Sequence, residues 1–127
     1  MDYTINIPIT VTREQALAVL ETAEPQMRYW ETPFRSHKYD KYGDYGRLLS
    51  LEVECVDSAP IGGKVGDWAE VNVDTINLGL FAIVHGNITN CRNEIIQLLA
   101  DNDIDGCDID QADAIVQAGL FGELVYV

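Results

Sequence analysis

The sequence predicts one α+β domain over residues 1–127, with an antiparallel sheet of four to five strands and three to four helices mainly on one face. Three observations predict it. Period-two apolar alternation recurs in short stretches bounded by glycine and proline, which is the mark of half-buried strands. Helical apolar stripes cluster in the second half instead of alternating one-for-one with strands, so the helices are segregated and a parallel doubly wound sheet is disfavoured. A chain of 127 residues, 47% hydrophobic and 23% charged, has the size and composition of one ordinary globular core.

The elements follow in order. In "YTINIPITV" Tyr3, Ile5, Ile7, Ile9 and Val11 share one face, and Pro8 on the other face predicts an edge strand. Thr12 with Gln15 forms a capping box, and Ala16, Leu17, Val19, Leu20 and Ala23 make the apolar face of a first helix expected to stop before Pro25. The aromatic, basic stretch "MRYWETPFRSHKYDKYGDYGR" predicts a short strand at residues 27–31 and then a long loop. "LLSLEVECV" and "WAEVNV" read as neighbouring antiparallel strands across a connection containing Pro60, Gly62, Gly63 and Gly66. Asp74 is the expected cap of a second helix that ends at Gly86, and residues 91–100 form another. Asp110 is the expected cap of a helix through "QADAIVQAGL", and "GELVYV" is a closing strand inside the sheet.

Charge is the strongest departure from average. Residues 1–47 carry seven acids and six bases, whereas residues 48–127 carry fourteen acids against Lys64 and Arg92 alone, a net of −12. Such a surface repels nucleic acid and acidic membranes and attracts basic proteins. No direct nucleic-acid contact and no membrane contact are therefore expected. No apolar run reaches membrane-spanning length, and the first eleven residues lack the basic start and cleavage site of a signal peptide. Cys55, Cys91 and Cys107 are odd in number and form no C-x-x-C pair, which points to reduced thiols in a cytosolic compartment.

Residues 101–113, "DNDIDGCDIDQAD", hold six aspartates. Asp101, Asp103, Asp105 and Gly106 match the opening of a calcium loop, but Ala112 occupies the position of the bidentate carboxylate and Asp108 stands at the usual apolar position. No metal site is expected there. The same residues, Asp101, Asp103, Asp105, Asp108, Asp110 and Asp113, are instead the expected partner-binding surface, with Glu52, Glu54, Asp67, Glu70 and Asp74 as candidates on the sheet side.

No catalytic constellation is found. His37 and His85 have no nucleophile near them in sequence, and the chain lacks G-x-S-x-G, H-E-x-x-H and a phosphate-cradling glycine loop ahead of a helix. No enzymatic activity and no cofactor are expected. A second candidate site is the aromatic and basic set Arg28, Tyr29, Trp30, Lys38, Tyr39 and Lys41, where rings would stack a nucleobase and cations hold its phosphates. Its competing explanation is a surface loop whose tyrosines and Trp30 roof the sheet while its bases pair with the acidic half.

The stretches "ALAVLETAEPQMRYW" and "LLSLEVE", and the close D-x-x-D-A-I-V-Q-x-x-L-F-G-E-L-V-Y from Asp110 to Tyr126, resemble a family of small proteins of tailed bacteriophages and prophages that carry no assigned activity. Val127 stands where that family commonly ends in glycine. The resemblance implies a phage accessory protein in the bacterial host cytoplasm. Joined to the charge, it predicts an acidic protein that blocks a host defence complex by mimicking nucleic acid on a basic surface. A nucleotide-sequestering protein and a phage structural or regulatory component, self-associating as a homo-oligomer, are the alternatives.

Overall fold

The computed structural model describes residues 9–40, 46–86, 88 and 91–126. Among them are four α-helices and a three-stranded antiparallel sheet, so the α+β class is as expected, with fewer strands. Helix α1 spans Arg13–Met27 and ends in a 3₁₀ turn at Arg28–Trp30. Strands β1 (Phe34–Tyr39), β2 (Leu48–Glu54) and β3 (Trp68–Val71) pair in chain order. Helices α2 (Val73–Val84), α3 (Arg92–Ala100) and α4 (Ile109–Phe121) follow, with a 3₁₀ turn at Ile104–Gly106 between the last two.

The N-terminal capping box forms as the sequence requires: Gln15 N donates to Thr12 Oγ1 at 3.1 Å and Thr12 N to Gln15 Oε1 at 3.0 Å. The helix does not stop before Pro25. Proline in the last turn only deprives the Glu21 carbonyl of its donor, and the gain from burying Met27 and Trp30 one turn apart outweighs that loss. The strand expected at residues 27–31 is therefore helix and 3₁₀ turn, closed by Glu31 in the left-handed region at φ 57°.

The first sheet strand lies further on, inside the expected loop. β1 is exposed except at Phe34, and its register against β2 slips between Arg35 and Lys38, where Ser36 has φ 57°. A bulged, cationic edge of this kind resists pairing with a further strand. β2 and β3 pair as expected, Leu51 opposite Val71 and Val53 opposite Ala69. The expected opening strand falls mainly outside the described residues, and residues 9–11 are not in the sheet.

Helix α4 is the centre of the molecule. Its residues 112–121 are all buried, and it packs against both α1 and α2. At its crossing with α2 the backbones nearly touch: a Cβ on Gly79 would lie 1.9 Å from the Ile115 carbonyl oxygen, and one on Gly119 would lie 1.9 Å from that of Thr75. Only glycine fits at either position. Two helix starts lie two residues upstream of expectation, because Asn72 and Asp108 hold the extended conformations that a cap needs. Asn72 Oδ1 accepts from Asp74 N at 2.9 Å, and Asp108 makes a reciprocal box with Gln111.

The expected closing strand does not join the sheet. Gly122, at φ 74°, ends α4 and turns the chain back along it, and the Gln117 side chain then supplies what a neighbouring strand would have supplied. Gln117 Oε1 accepts from Val125 N and Tyr126 N, both at 2.8 Å, and Gln117 Nε2 donates to the Tyr126 carbonyl at 2.8 Å.

Candidate functional site

The acidic segment is a chain of aspartates set between buried anchors. At the end of α3, Asn102 adopts φ 55°, Asn102 N donates to Leu99 O at 3.1 Å, and Asp103 N donates to Leu98 O at 2.8 Å, which together close a Schellman turn. Gln15 Nε2 donates to Asn102 Oδ1 at 3.0 Å and ties this turn to the start of α1. Ile104, the first residue of the 3₁₀ turn, and Cys107, which follows it, are both buried. Asp101, Asp103, Asp105, Asp108 and Asp110 consequently face solvent from a backbone that is fixed at several points.

Asp113 departs from this set. It is only 8% exposed, accepting from Trp30 Nε1 at 3.0 Å and from Gln117 Nε2 at 2.7 Å. Its position in the interior of α4, with Ala112 before it and Ala114, Ile115 and Val116 after it, turns it into the core, so it is removed from the partner-binding surface. Burial raises its pKa against the two hydrogen bonds, which lower it, and Asp110 adds a smaller upward push.

The bases do not neutralise the remaining five. Arg28 pairs with Glu24 at 2.8 Å, Arg35 with Glu52 at 3.5 Å, and Arg47 with both Glu14 and Glu21. The Arg92 guanidinium donates to the carbonyls of Ile83 and Val84 at 3.1 and 3.0 Å, capping the end of α2. Among the described residues no ion pair reaches Asp101, Asp103, Asp105, Asp108 or Asp110. The basic loop therefore satisfies its own half of the chain, with Arg35 alone of these bases crossing to the acidic half.

On the sheet side the acids are less available. Glu52 is half-buried and its pKa is lowered, first by the Ser36 hydroxyl and then by Arg35 and Lys38. Glu54 is half-buried, whereas Asp67, Glu70 and Asp74 are exposed, Asp67 accepting from Lys64 N at 2.8 Å. Among the described residues no three carboxylate, imidazole or thiol groups gather where they would hold a metal ion.

The aromatic and basic set is dispersed. Trp30 is 4% exposed, stacks on Tyr126 with ring centroids 4.9 Å apart, and contacts Phe34 and Phe121. No face of it is open to a nucleobase. Tyr29 is exposed; Arg28 and Tyr39 meet in a cleft of about 470 Å³ beside Arg47, whose other walls include Glu21 and Glu24. Lys38 is exposed on β1 and is not part of that cleft, and Lys41 lies outside the described residues. His37 is exposed on β1 and His85 ends α2 against Phe81.

Sequence reasoning missed two features of the site region. One is a hollow of about 440 Å³ between α3 and the first turn of α4, lined by Asn93, Glu94, Gln97, Leu98 and Gln111. The spacing of Glu94, Gln97 and Asp101, which puts them on one side of α3, was its only signal. The other is the set of buried Trp30, Asp113 and Gln117 with half-buried Tyr126, whose residues are those of the "YW" and D-A-I-V-Q-x-x-L-F-G-E-L-V-Y patterns. Those patterns mark a structural clamp. No protein-family model, curated protein or solved structure matches the chain.

Proposed function

We propose that this protein is an acidic docking module that occupies a basic, nucleic-acid-binding surface of another protein. With the resemblance to phage accessory proteins, the reading extends to a phage protein that inhibits a bacterial defence complex in the host cytoplasm. One observation carries it: Asp101, Asp103, Asp105, Asp108 and Asp110 are exposed, mounted on pinned backbone, and joined to no cation among the described residues. Fixed carboxylates need no ordering when a basic surface arrives, so little of the electrostatic gain is lost to side-chain and loop entropy. Long-range attraction makes the encounter fast and salt-sensitive.

The competing reading, a protein that sequesters a nucleotide signal, keeps the Arg28–Tyr39–Arg47 cleft in its favour. Against it, both arginines already hold glutamates, and Trp30 is unavailable for stacking. An anion would have to displace a carboxylate before binding.

The test is phage plating on bacterial hosts carrying individual defence systems, with the parent protein or variants supplied in trans. Replacing Asp101, Asp103 and Asp105 together by asparagine should reduce protection of the phage about tenfold, at roughly 0.5 kcal/mol per lost contact. Arg28→Ala should leave protection unchanged. The opposite pattern, with the triple variant fully active and Arg28→Ala inactive but folded, would replace docking by ligand sequestration.

A further inference from the structure

We propose, resting on the docking reading, that the hollow between α3 and α4 receives an amphipathic basic helix of the partner, with one apolar side chain of that helix seated on Leu98. The walls of the hollow divide by chemistry. Gln97 Nε2 donates to Asp101 Oδ2 at 3.1 Å and Gln111 Oε1 accepts from Asp108 N at 3.0 Å, so each carboxamide is held by a neighbouring aspartate. What they leave is charge at the rim and an apolar floor: Leu98 is half-buried in the hollow, packed from below against the core.

The rim charges sit at two ends. Glu94 and Asp101 are two turns apart on α3, about 10 Å along its axis. Asp108 stands beside Gln111 at the start of α4, and Asp110 lies in the same first turn. Glu94 lines the hollow, Asp101 is hydrogen-bonded to the lining residue Gln97, and Asp108 is hydrogen-bonded to the lining residue Gln111, so these three carboxylates border it. A partner that fits must therefore be cationic at both ends and apolar in the middle. An α-helix with arginines about seven residues apart and a leucine between them on the same face has that spacing. Arginine suits the rim because its planar guanidinium bridges carboxylates and its stem covers apolar surface.

The experiment is an NMR titration of the full chain with two synthetic helical peptides of identical charge, each with arginines seven residues apart and differing only in a central leucine or serine. The leucine peptide should shift the amides of Glu94, Gln97, Leu98 and Gln111 in a saturating way, and the serine peptide should bind about tenfold more weakly or worse. Gln97→Arg, an exposed helix position filled by a good helix former, should abolish the difference between the peptides without unfolding the protein. Equal affinity for both peptides, with shifts spread along residues 101–110, would overturn the groove assignment and leave acidic docking standing. Absence of binding by either peptide would overturn both.

Discussion

Asp113 shows how one residue changes sides when the chain folds. In the sequence it is the last of six aspartates, and nothing in that spacing separates it from Asp110; the signal that does is its place in the apolar run from Ala112 to Val116. Folded, its two oxygens serve two donors, Trp30 Nε1 and Gln117 Nε2. Asp113→Asn retains one acceptor oxygen for two donors, so urea unfolding at neutral pH should show a loss of about 1–3 kcal/mol. The pH dependence has a definite sign. Burial raises the folded-state pKa above the ordinary 3.8, so the folded protein holds this proton more tightly than the unfolded chain does. That contribution is fully present below about 3.8 and is lost as pH rises through the raised value. The stability difference between the parent and Asp113→Asn should therefore widen in the parent's favour on acidification. A difference that narrows would mean that the hydrogen bonds, not burial, set the pKa.

At the level of elements, the contact between α2 and α4 depends on Gly79 and Gly119. Helix propensity alone would favour alanine at both by about 1 kcal/mol. Here an added Cβ would meet a backbone carbonyl, which has no rotamer to retreat into. Gly79→Ala and Gly119→Ala should each lower stability by about 2 kcal/mol or more in denaturant unfolding, and a gain in stability would disprove the close crossing. Asp108→Ala, which removes the cap of α4, should cost about 1 kcal/mol, whereas Asp108→Asn should be nearly neutral. Element types were legible where periodicity was strong, as in β2, β3 and α2. They were illegible where a tertiary contact decides: Met27 and Trp30 carry the first helix past Pro25, and Gln117 turns a strand-forming terminal sequence into an extended strap on α4. Propensity reports the backbone's preference, and these segments follow side chains distant in sequence.

Across the whole molecule, the net charge of −13 is concentrated on the later half of the chain. Each of the few ion pairs among the described residues joins an exposed partner to a half-buried one and contributes about 0–1 kcal/mol, so screening the mutual repulsion of the acids should outweigh their loss. Urea midpoints should rise between about 0.1 M and 1 M sodium chloride, as the Debye length falls from about 10 to about 3 Å. Most of the acidic surface was legible in the sequence because an exposed carboxylate needs no tertiary partner to stay exposed. The fate of Trp30 was not, since the same ring serves a ligand or a core equally well until its neighbours are known.

The five exposed aspartates of residues 101–110 form the proposed binding surface. The most direct measurement is affinity capture from bacterial lysate by the parent and by a variant with asparagine at Asp101, Asp103, Asp105, Asp108 and Asp110, each at about 0.1 M and about 1 M salt. The parent should retain basic, nucleic-acid-binding proteins at the lower salt, release them at the higher, and lose them to added double-stranded DNA, while the variant retains none. Retention of the same proteins by the variant, or retention by the parent that survives the higher salt and excess DNA, would contradict the account.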